Sequence, residues 1–241
     1  GLVYRLSDEV SLYGSYTRSF KPNSTIAPLS TGETIDSAIL PEEATSWELG
    51  AKLDVPGRLS GTLALFDIRK KNVLVNELDG AGNSSVRAAG RVRSRGLELD
   101  LTGQLSERWS LIGSYAWLAA EVTEDPTLEG KRLQNVARNT ASLSAVYELG
   151  QLFGGDRLRL GGGARYVGKR PGDPANSFDL PSYTVADAFA SYDTRFGGHG
   201  VKFQLNVKNL FDRTYYPSSA NRLYVAMGEP RQFQLSTTVE F

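Results

Sequence analysis

The stretch Trp47-Glu48-Leu49-Gly50-Ala51-Lys52-Leu53-Asp54-Val55 alternates without a fault. Alternation at 180° per residue puts successive side chains on opposite faces of an extended chain, so this stretch reads as a strand with one apolar and one charged face. The pattern recurs in Leu97-Glu98-Leu99-Asp100-Leu101-Thr102, in Val201-Lys202-Phe203-Gln204-Leu205-Asn206-Val207-Lys208, and in Phe233-Gln234-Leu235-Ser236-Thr237-Thr238-Val239-Glu240-Phe241. Residues 181–194 alternate less cleanly. No segment offers a convincing amphipathic helix, because the 25 glycines and 10 prolines fall too often between the alternating runs.

The pattern predicts ten whole strands and one partial, near 1–6, 10–20, 45–55, 59–71, 85–105, 109–123, 138–149, 157–169, 181–194, 201–211 and 230–241. Tight connections fall at Ser7-Asp8-Glu9, Pro56-Gly57-Arg58 and Ser106-Glu107-Arg108, with somewhat longer ones at 150–156 and 195–200. Long connections fall at 21–44, 72–84, 124–137, 170–180 and 212–229. Short and long alternate strictly. In an up-and-down antiparallel barrel this gathers the short turns on one rim and the long loops on the other, the asymmetry of outer-membrane barrels with short periplasmic turns and long extracellular loops. A soluble sandwich has no reason to sort its loops so. The same counting puts the C-terminus on the short-turn, periplasmic rim.

Strand length agrees. Most runs are about 10 to 14 residues, near the 9 to 11 that a tilted transmembrane strand needs, whereas globular strands centre near 5 or 6. Tyr16, Trp117, Tyr166, Tyr183 and Phe211 gather near the expected upper strand ends, where an interfacial aromatic girdle belongs. Glu48, Lys52, Asp54, Glu98, Asp100, Lys202, Gln204 and Lys208 occupy the faces opposite the apolar ones. In a sandwich core each such charge costs on the order of several kcal/mol unless paired; facing a wet lumen it costs little. The expected fold is therefore all-β, a transmembrane antiparallel up-and-down barrel.

Composition closes other classes. The 27 basic and 27 acidic residues balance, which argues against a nucleic-acid binder. There is no cysteine, so no disulfide scaffold or thiolate metal site, and one methionine, Met227. No run approaches the roughly 18 to 20 apolar residues of a transmembrane helix. The single histidine, His199 in Arg195-Phe196-Gly197-Gly198-His199-Gly200, reads as a solvated turn residue, and one histidine without cysteine cannot assemble Ser-His-Asp or Cys-His chemistry elsewhere. A catalytic or metal site is not expected. Gly161-Gly162-Gly163 lacks the Lys-Ser/Thr and following helix of a phosphate loop and reads as close backbone packing inside a strand. The opening Leu2-Val3-Tyr4-Arg5-Leu6 is strand-like with no leader before it, and the chain is expected to be part of a longer protein.

Several segments then resemble one family. Val207-Lys208-Asn209-Leu210-Phe211-Asp212-Arg213-Thr214-Tyr215-Tyr216 resembles the penultimate-strand motif of TonB-dependent outer-membrane receptors. Gly228-Glu229-Pro230-Arg231, leading to Phe241, resembles their last strand, and Ser94-Arg95-Gly96-Leu97-Glu98-Leu99 a mid-barrel strand. Leu180-Pro181-Ser182-Tyr183-Thr184-Val185-Ala186-Asp187 and Phe66-Asp67-Ile68-Arg69-Lys70-Lys71-Asn72-Val73 match further strands. Ser19-Phe20-Lys21-Pro22-Asn23 and Tyr166-Val167-Gly168-Lys169-Arg170-Pro171-Gly172-Asp173 are similar to the siderophore-receptor branch. Ala137-Arg138-Asn139 stands where the family usually has Pro-Arg-His.

The resemblance implies a 22-stranded barrel plugged by an N-terminal domain. On that reading the 10 to 11 strands of residues 1–241 are about half of the barrel, its C-terminal portion, with the plug, the first half of the barrel and the TonB-binding segment outside this sequence. The implied function is binding of a ferric siderophore at the cell surface and its import with energy delivered by TonB, without a cofactor and without covalent chemistry. Uptake of another chelate, cobalamin or haem, is the nearest alternative; a passive porin or a soluble β-rich module is more distant. Implied partners are the ferric siderophore, TonB, outer-membrane lipid and the barrel-assembly machinery, whose recognition signal Phe241 resembles. Because the iron arrives already wrapped, the candidate contacts are loop aromatics, Phe20, Phe178, Tyr215, Tyr216 and Tyr224, and arginines near the upper lumen, Arg91, Arg165, Arg170 and Arg222.

Overall fold

The computed structural model describes residues 1–22, 40–78, 84–151 and 154–240, and among them there is no α-helix. In chain order the strands are β1 (Leu2–Arg5), β2 (Val10–Lys21), β3 (Glu42–Val55), β4 (Leu59–Leu78), β5 (Ser84–Gln104), β6 (Trp109–Glu124), β7 (Asn139–Gln151), β8 (Arg157–Val167), β9 (Arg170–Pro171), β10 (Asp179–Leu180), β11 (Tyr183–Phe196), β12 (His199–Lys208), β13 (Ser219–Asn221), β14 (Tyr224–Val225) and β15 (Gln232–Glu240). One eleven-stranded sheet runs β1-β2-β3-β4-β5-β6-β7-β8-β11-β12-β15. It is an antiparallel meander with β1 and β15 at its edges, and its members are the eleven strands that alternation predicts. The short pairs β9–β10 and β13–β14 lie inside long connections and carry no alternation signal.

Directly opposed residues of an antiparallel ladder share a face. Leu49 opposes Leu65, Leu65 opposes Leu97, and Leu97 opposes Trp117, making one row across four strands. Ala51, Leu63, Leu99 and Tyr115 form the next. Farther along the sheet, Leu205 opposes both Ala190 and Leu235. These side chains are open: Trp47 is 63% exposed, Leu49 65% and Leu235 73%. Among the described residues the buried apolar side chains are few: Ala64, Ala120, Ala137, Pro171, Leu180, Tyr183 and Val185. In water this arrangement forgoes roughly 1.5–3 kcal/mol per large apolar side chain. Against hydrocarbon it forgoes nothing, so the Leu-rich face is the lipid-facing one.

The opposite face is polar. Lys52 opposes Thr62, and Thr62 opposes Asp100. Tyr13 Oη donates to Glu48 Oε1 at 2.6 Å, and Lys52 Nζ sits 5.2 Å from the Tyr13 ring centroid. Arg159 pairs with Asp193 at 2.9 Å. At Gly161 the Phe189 ring lies where a Cβ would project, so close packing is what the glycine run serves here.

Aromatics mark two levels on the apolar face. Near the long-loop rim Tyr16 packs on Trp47 with ring centroids 4.6 Å apart, and Trp117 and Tyr166 are exposed at that height. Near the short-turn rim Trp109 packs on Tyr147 at 4.8 Å. Trp109 and Trp117 lie eight residues apart on β6, about 27 Å of strand and roughly 20 Å of height once tilted, comparable to the ~25 Å apolar band of outer-membrane barrels. Tyr183, expected in the upper girdle, is not there. It is 7% exposed on the polar face, because Thr184 rather than Tyr183 opposes Tyr166.

The short turns follow from local chemistry. Ser7 Oγ accepts from Glu9 and Val10 N–H at 3.3 and 3.1 Å, and Ser106 Oγ accepts from Arg108 and Trp109 N–H at 3.3 and 3.2 Å, the same side-chain cap used twice. Between β11 and β12 the connection is Gly197-Gly198 alone, with φ of 59° and 88°, the left-handed pair that a two-residue hairpin requires. The expected long connection 72–84 is mostly strand. Asn72 takes φ 58°, the ladder shifts register there, and pairing resumes at Val73 opposite Gly90 and continues to Leu78 opposite Ser84. A left-handed asparagine interrupts the alternation without ending the strand.

Candidate functional site

On the long-loop rim, segments 124–138, 168–182 and 209–231 are stitched into one layer. The first folds back along β6: Val122 N–H donates to Lys131 O at 2.9 Å and Leu133 N–H to Ala120 O at 3.1 Å. It then presents Gln134, whose Nε2 lies within 2.8–2.9 Å of the carbonyls of Gly172, Ser219 and Ala220. Asn135 pairs with Ser219 as a peptide would, Nδ2 donating to Ser219 O at 2.9 Å and Oδ1 accepting from Ser219 N–H at 3.0 Å. Asn176 repeats the device on Arg132 at 2.8 and 2.9 Å. Asn209 closes the third segment by bonding both N–H and C=O of Arg213, and its own N–H donates to Asp187 at 2.8 Å.

Arg170 is the centre of the layer and is 1% exposed. Its guanidinium donates to Pro217 O at 2.8 Å, to Tyr216 O, and at 3.4 Å to the carbonyls of Gly168 and Pro181. It lies 5.2 Å from the Tyr183 ring centroid, and Tyr183 in turn packs on Tyr215 at 4.7 Å. Burial lowers the pKa of Arg170 from the ordinary guanidinium range. The same cause acts on Arg132, with Arg138 nearby adding to it. At the layer's edge the Ser177 hydroxyl and N–H both donate to Asp173, which holds that carboxyl below its usual range.

The structure thus brings five of the sequence-predicted contacts together: Arg170, Phe178, Tyr215, Tyr216 and Arg222. Phe178 covers the backbone of Gly172 and lies 5.5 Å beneath the Arg222 guanidinium, which also donates to Ser177 O at 3.0 Å. Tyr224 is on the β13–β14 hairpin, 70% exposed. Arg165 stands apart on the polar face, opposite Val185, and lines a groove of about 430 Å³ with Ser144, Asp187, Asn206, Lys208 and Gln234. Phe20 and Arg91 are elsewhere. Phe20 follows Tyr16 and Arg18 on the lipid-facing side and is 76% exposed, and Arg91 joins Arg93 and Arg69 at a cavity on that side. Phe241 lies outside the described residues. Gln134, Asn135, Asn176 and Asn209, which hold the layer, were missed because their partners are up to 86 residues away. His199 opens β12 beside the Gly197-Gly198 turn, far from this layer, and among the described residues no cluster of acidic or histidine side chains could hold a metal ion.

An outward-apolar meander, a polar inner groove and a knitted loop layer are the parts of an outer-membrane receptor wall. A family model described as TonB dependent receptor-like, beta-barrel matches residues 1–210. The chain belongs to the TonB-dependent receptor family. It is 42% identical over 246 residues to the metal-pseudopaline receptor of Pseudomonas aeruginosa, covering all of this chain and 33% of that protein. It is 36% identical over 248 residues to the ferrichrome outer membrane transporter/phage receptor of Escherichia coli K12, covering all of this chain and 31% of that protein. The crystal structure of the ferric preacinetobactin receptor of Acinetobacter baumannii superposes with a TM-score of 0.81 at 27% identity, over 99% of this chain and 35% of that one. The chain therefore spans about a third of the length of these receptors. The sheet is a section of a TonB-dependent receptor barrel.

Proposed function

We propose that this chain forms the C-terminal part of an outer-membrane receptor that binds a ferric siderophore at the cell surface and imports it with energy from TonB. The observation that carries this is the loop layer centred on Arg170, set above a polar groove in a wall whose other face is apolar. A passive pore has no need to lock three loops across its mouth. The names of the relatives, receptors for metal-pseudopaline and ferrichrome, support a metal chelate as ligand.

In this reading the long loops are extracellular and the short turns periplasmic. Arg222 over Phe178, exposed Tyr224 and Arg165 in the groove offer an anionic, partly aromatic chelate cations and ring faces. Arg170, Tyr215 and Tyr216 act by holding the loops. The plug and TonB-binding segment belong to the remainder of the receptor, and Phe241 signals to the barrel-assembly machinery; deleting it should slow assembly of the full receptor. No covalent step is involved, since the iron stays in its chelator.

The test is growth. An iron-starved strain lacking its own receptors, complemented with the full gene, is fed a panel of ferric siderophores. Growth on at least one of them, lost when TonB is deleted, is expected. Growth on none, with the receptor present in the outer membrane, overturns the proposal.

A further inference from the structure

The short pairs β9–β10 and β13–β14 belong to separate sheets. Their loops meet at a knot of three residues, one from each long segment. The Ser219 hydroxyl donates to Gly172 O at 2.5 Å. Gln134 Nε2 lies 2.9 Å from that same oxygen, and 2.8 and 2.9 Å from the carbonyls of Ser219 and Ala220. Ser219 is 5% exposed and Gly172 is buried. A single carboxamide, with its two N–H donors, thus gathers three carbonyl oxygens that would otherwise repel one another.

Both sides of the knot lead to side chains at the surface. Ala220 stands two residues before Arg222, and Asn221 Oδ1 accepts from the N–H of Leu223 and Tyr224 at 2.8 and 3.1 Å, which fixes the turn that carries Arg222. On the other side Gly172 N–H donates to Phe178 O at 2.9 Å, and the Phe178 ring lies so close across Gly172 that an added Cβ would collide with it. The two surface side chains then meet. The Arg222 guanidinium is 5.5 Å from the Phe178 ring centroid and donates to Ser177 O at 3.0 Å. The Asp173 carboxylate is near enough to act on Arg222 electrostatically, so its charge is partly offset and what the knot fixes is its direction.

We infer that Gln134, Gly172 and Ser219 are positioning residues, which aim the Arg222–Phe178 pair at the chelate and tune its affinity without touching it. This rests on the siderophore-binding function proposed above. An arginine held beforehand in its binding geometry loses no loop or rotamer freedom when the ligand arrives, which is how preorganisation raises affinity. The knot also ties segment 124–138 to recognition from behind: its contribution passes through Gln134 to a pair on two other loops.

The test uses the full receptor. Gln134→Glu keeps the side-chain shape and removes its donors, Gly172→Ala displaces the Phe178 ring, Arg222→Ala removes the aimed group, and Glu129→Gln, exposed on the same segment as Gln134, is the control. Hydrogen exchange is measured on purified receptor without siderophore. Exchange in 219–225 should rise about ten-fold in Gln134→Glu, the scale of one net hydrogen bond, and stay at the wild-type rate in the control. Gly172→Ala is read in the same way should Gln134→Glu fail to assemble. Uptake is then measured with the radioiron-loaded member of the siderophore panel that supports growth. Gln134→Glu and Gly172→Ala should each raise KM about ten-fold with Vmax per receptor unchanged, whereas a misfolded fraction would lower Vmax instead. Combined with Arg222→Ala, neither should raise KM further, because the effect passes through Arg222. Wild-type exchange in 219–225 of the folded variants, a fall in Vmax with KM unchanged, or additive effects on KM in the double variants each overturns the inference. The exchange measurement needs no siderophore, so a receptor that grows on none of the panel refutes the proposed function while the positioning is still decided by exchange.

Discussion

The Arg170 guanidinium lies over the Tyr183 ring while reaching carbonyls of its own segment, Gly168 and Pro181, and of segment 209–231, Tyr216 and Pro217. A planar fork is needed for this, since it divides donors between two directions and keeps a face for the ring. Arg170→Lys should therefore behave almost as Arg170→Ala. Leaving these buried carbonyls without donors costs about 1–3 kcal/mol. The expected outcome is faster proteolysis and hydrogen exchange in 168–182 and 209–231 and weaker siderophore binding, with barrel assembly intact. Unchanged exchange in both segments would show that the clamp is dispensable.

Asp173 gives the same layer a pH dependence. Its folded pKa is lowered by the Ser177 hydroxyl and N–H. A group depressed in the folded state contributes stability that is fully present above its unfolded value, about 3.9, and is lost as pH falls through the folded value. Exchange protection of residues 173–177 should thus be flat from neutrality to about pH 4 and fall below it. Asp173→Asn should flatten that acid limb. A loss of protection centred at pH 6 would point to another group.

The strands were legible because burial on one side only writes a period of two into the chain, and Leu97-Glu98-Leu99-Asp100 cannot be read otherwise. What failed to read was non-local or locally interrupted. Asn72 breaks the period by turning left-handed, so β4 continued where alternation stopped. In Arg69-Lys70-Lys71 the charge is continuous, and only the register, with Arg69 opposite Arg93 and Lys70 opposite Val92, separates the lipid-side cations from the lumen-side one. Arg170 looks like any loop arginine until its partners, 46 and 47 residues on, are known. Tyr183 looks like a girdle residue because nothing local tells its face from that of Thr184.

The face assignment is testable with two neighbours on β4. Leu63 opposes Ala51 and Leu99 on the apolar face, and Thr62 opposes Lys52 and Asp100 on the polar one. An arginine near the midplane of the lipid face costs about 2–4 kcal/mol, while in the lumen it meets water and Asp100. Leu63→Arg should lower the stability of the receptor refolded in bilayers, measured by urea titration, by roughly that amount, and Thr62→Arg should leave it nearly unchanged. The reverse order would invert the wall.

The edges supply the last prediction. Among the described residues, β1 pairs only with β2 and β15 only with β12. β15 presents a row of N–H and C=O groups along Gln232–Glu240, and hydrocarbon offers them no partner, at on the order of several kcal/mol for each group. Residues 1–241 expressed alone behind a signal peptide should therefore fail to give a heat-modifiable, protease-resistant band in the outer membrane, whereas co-expression with the remaining wall strands of the receptor should rescue one. A folded band from residues 1–241 alone would mean that the sheet closes on itself or pairs with a second copy, and the reading of β1 and β15 as seams would have to be abandoned.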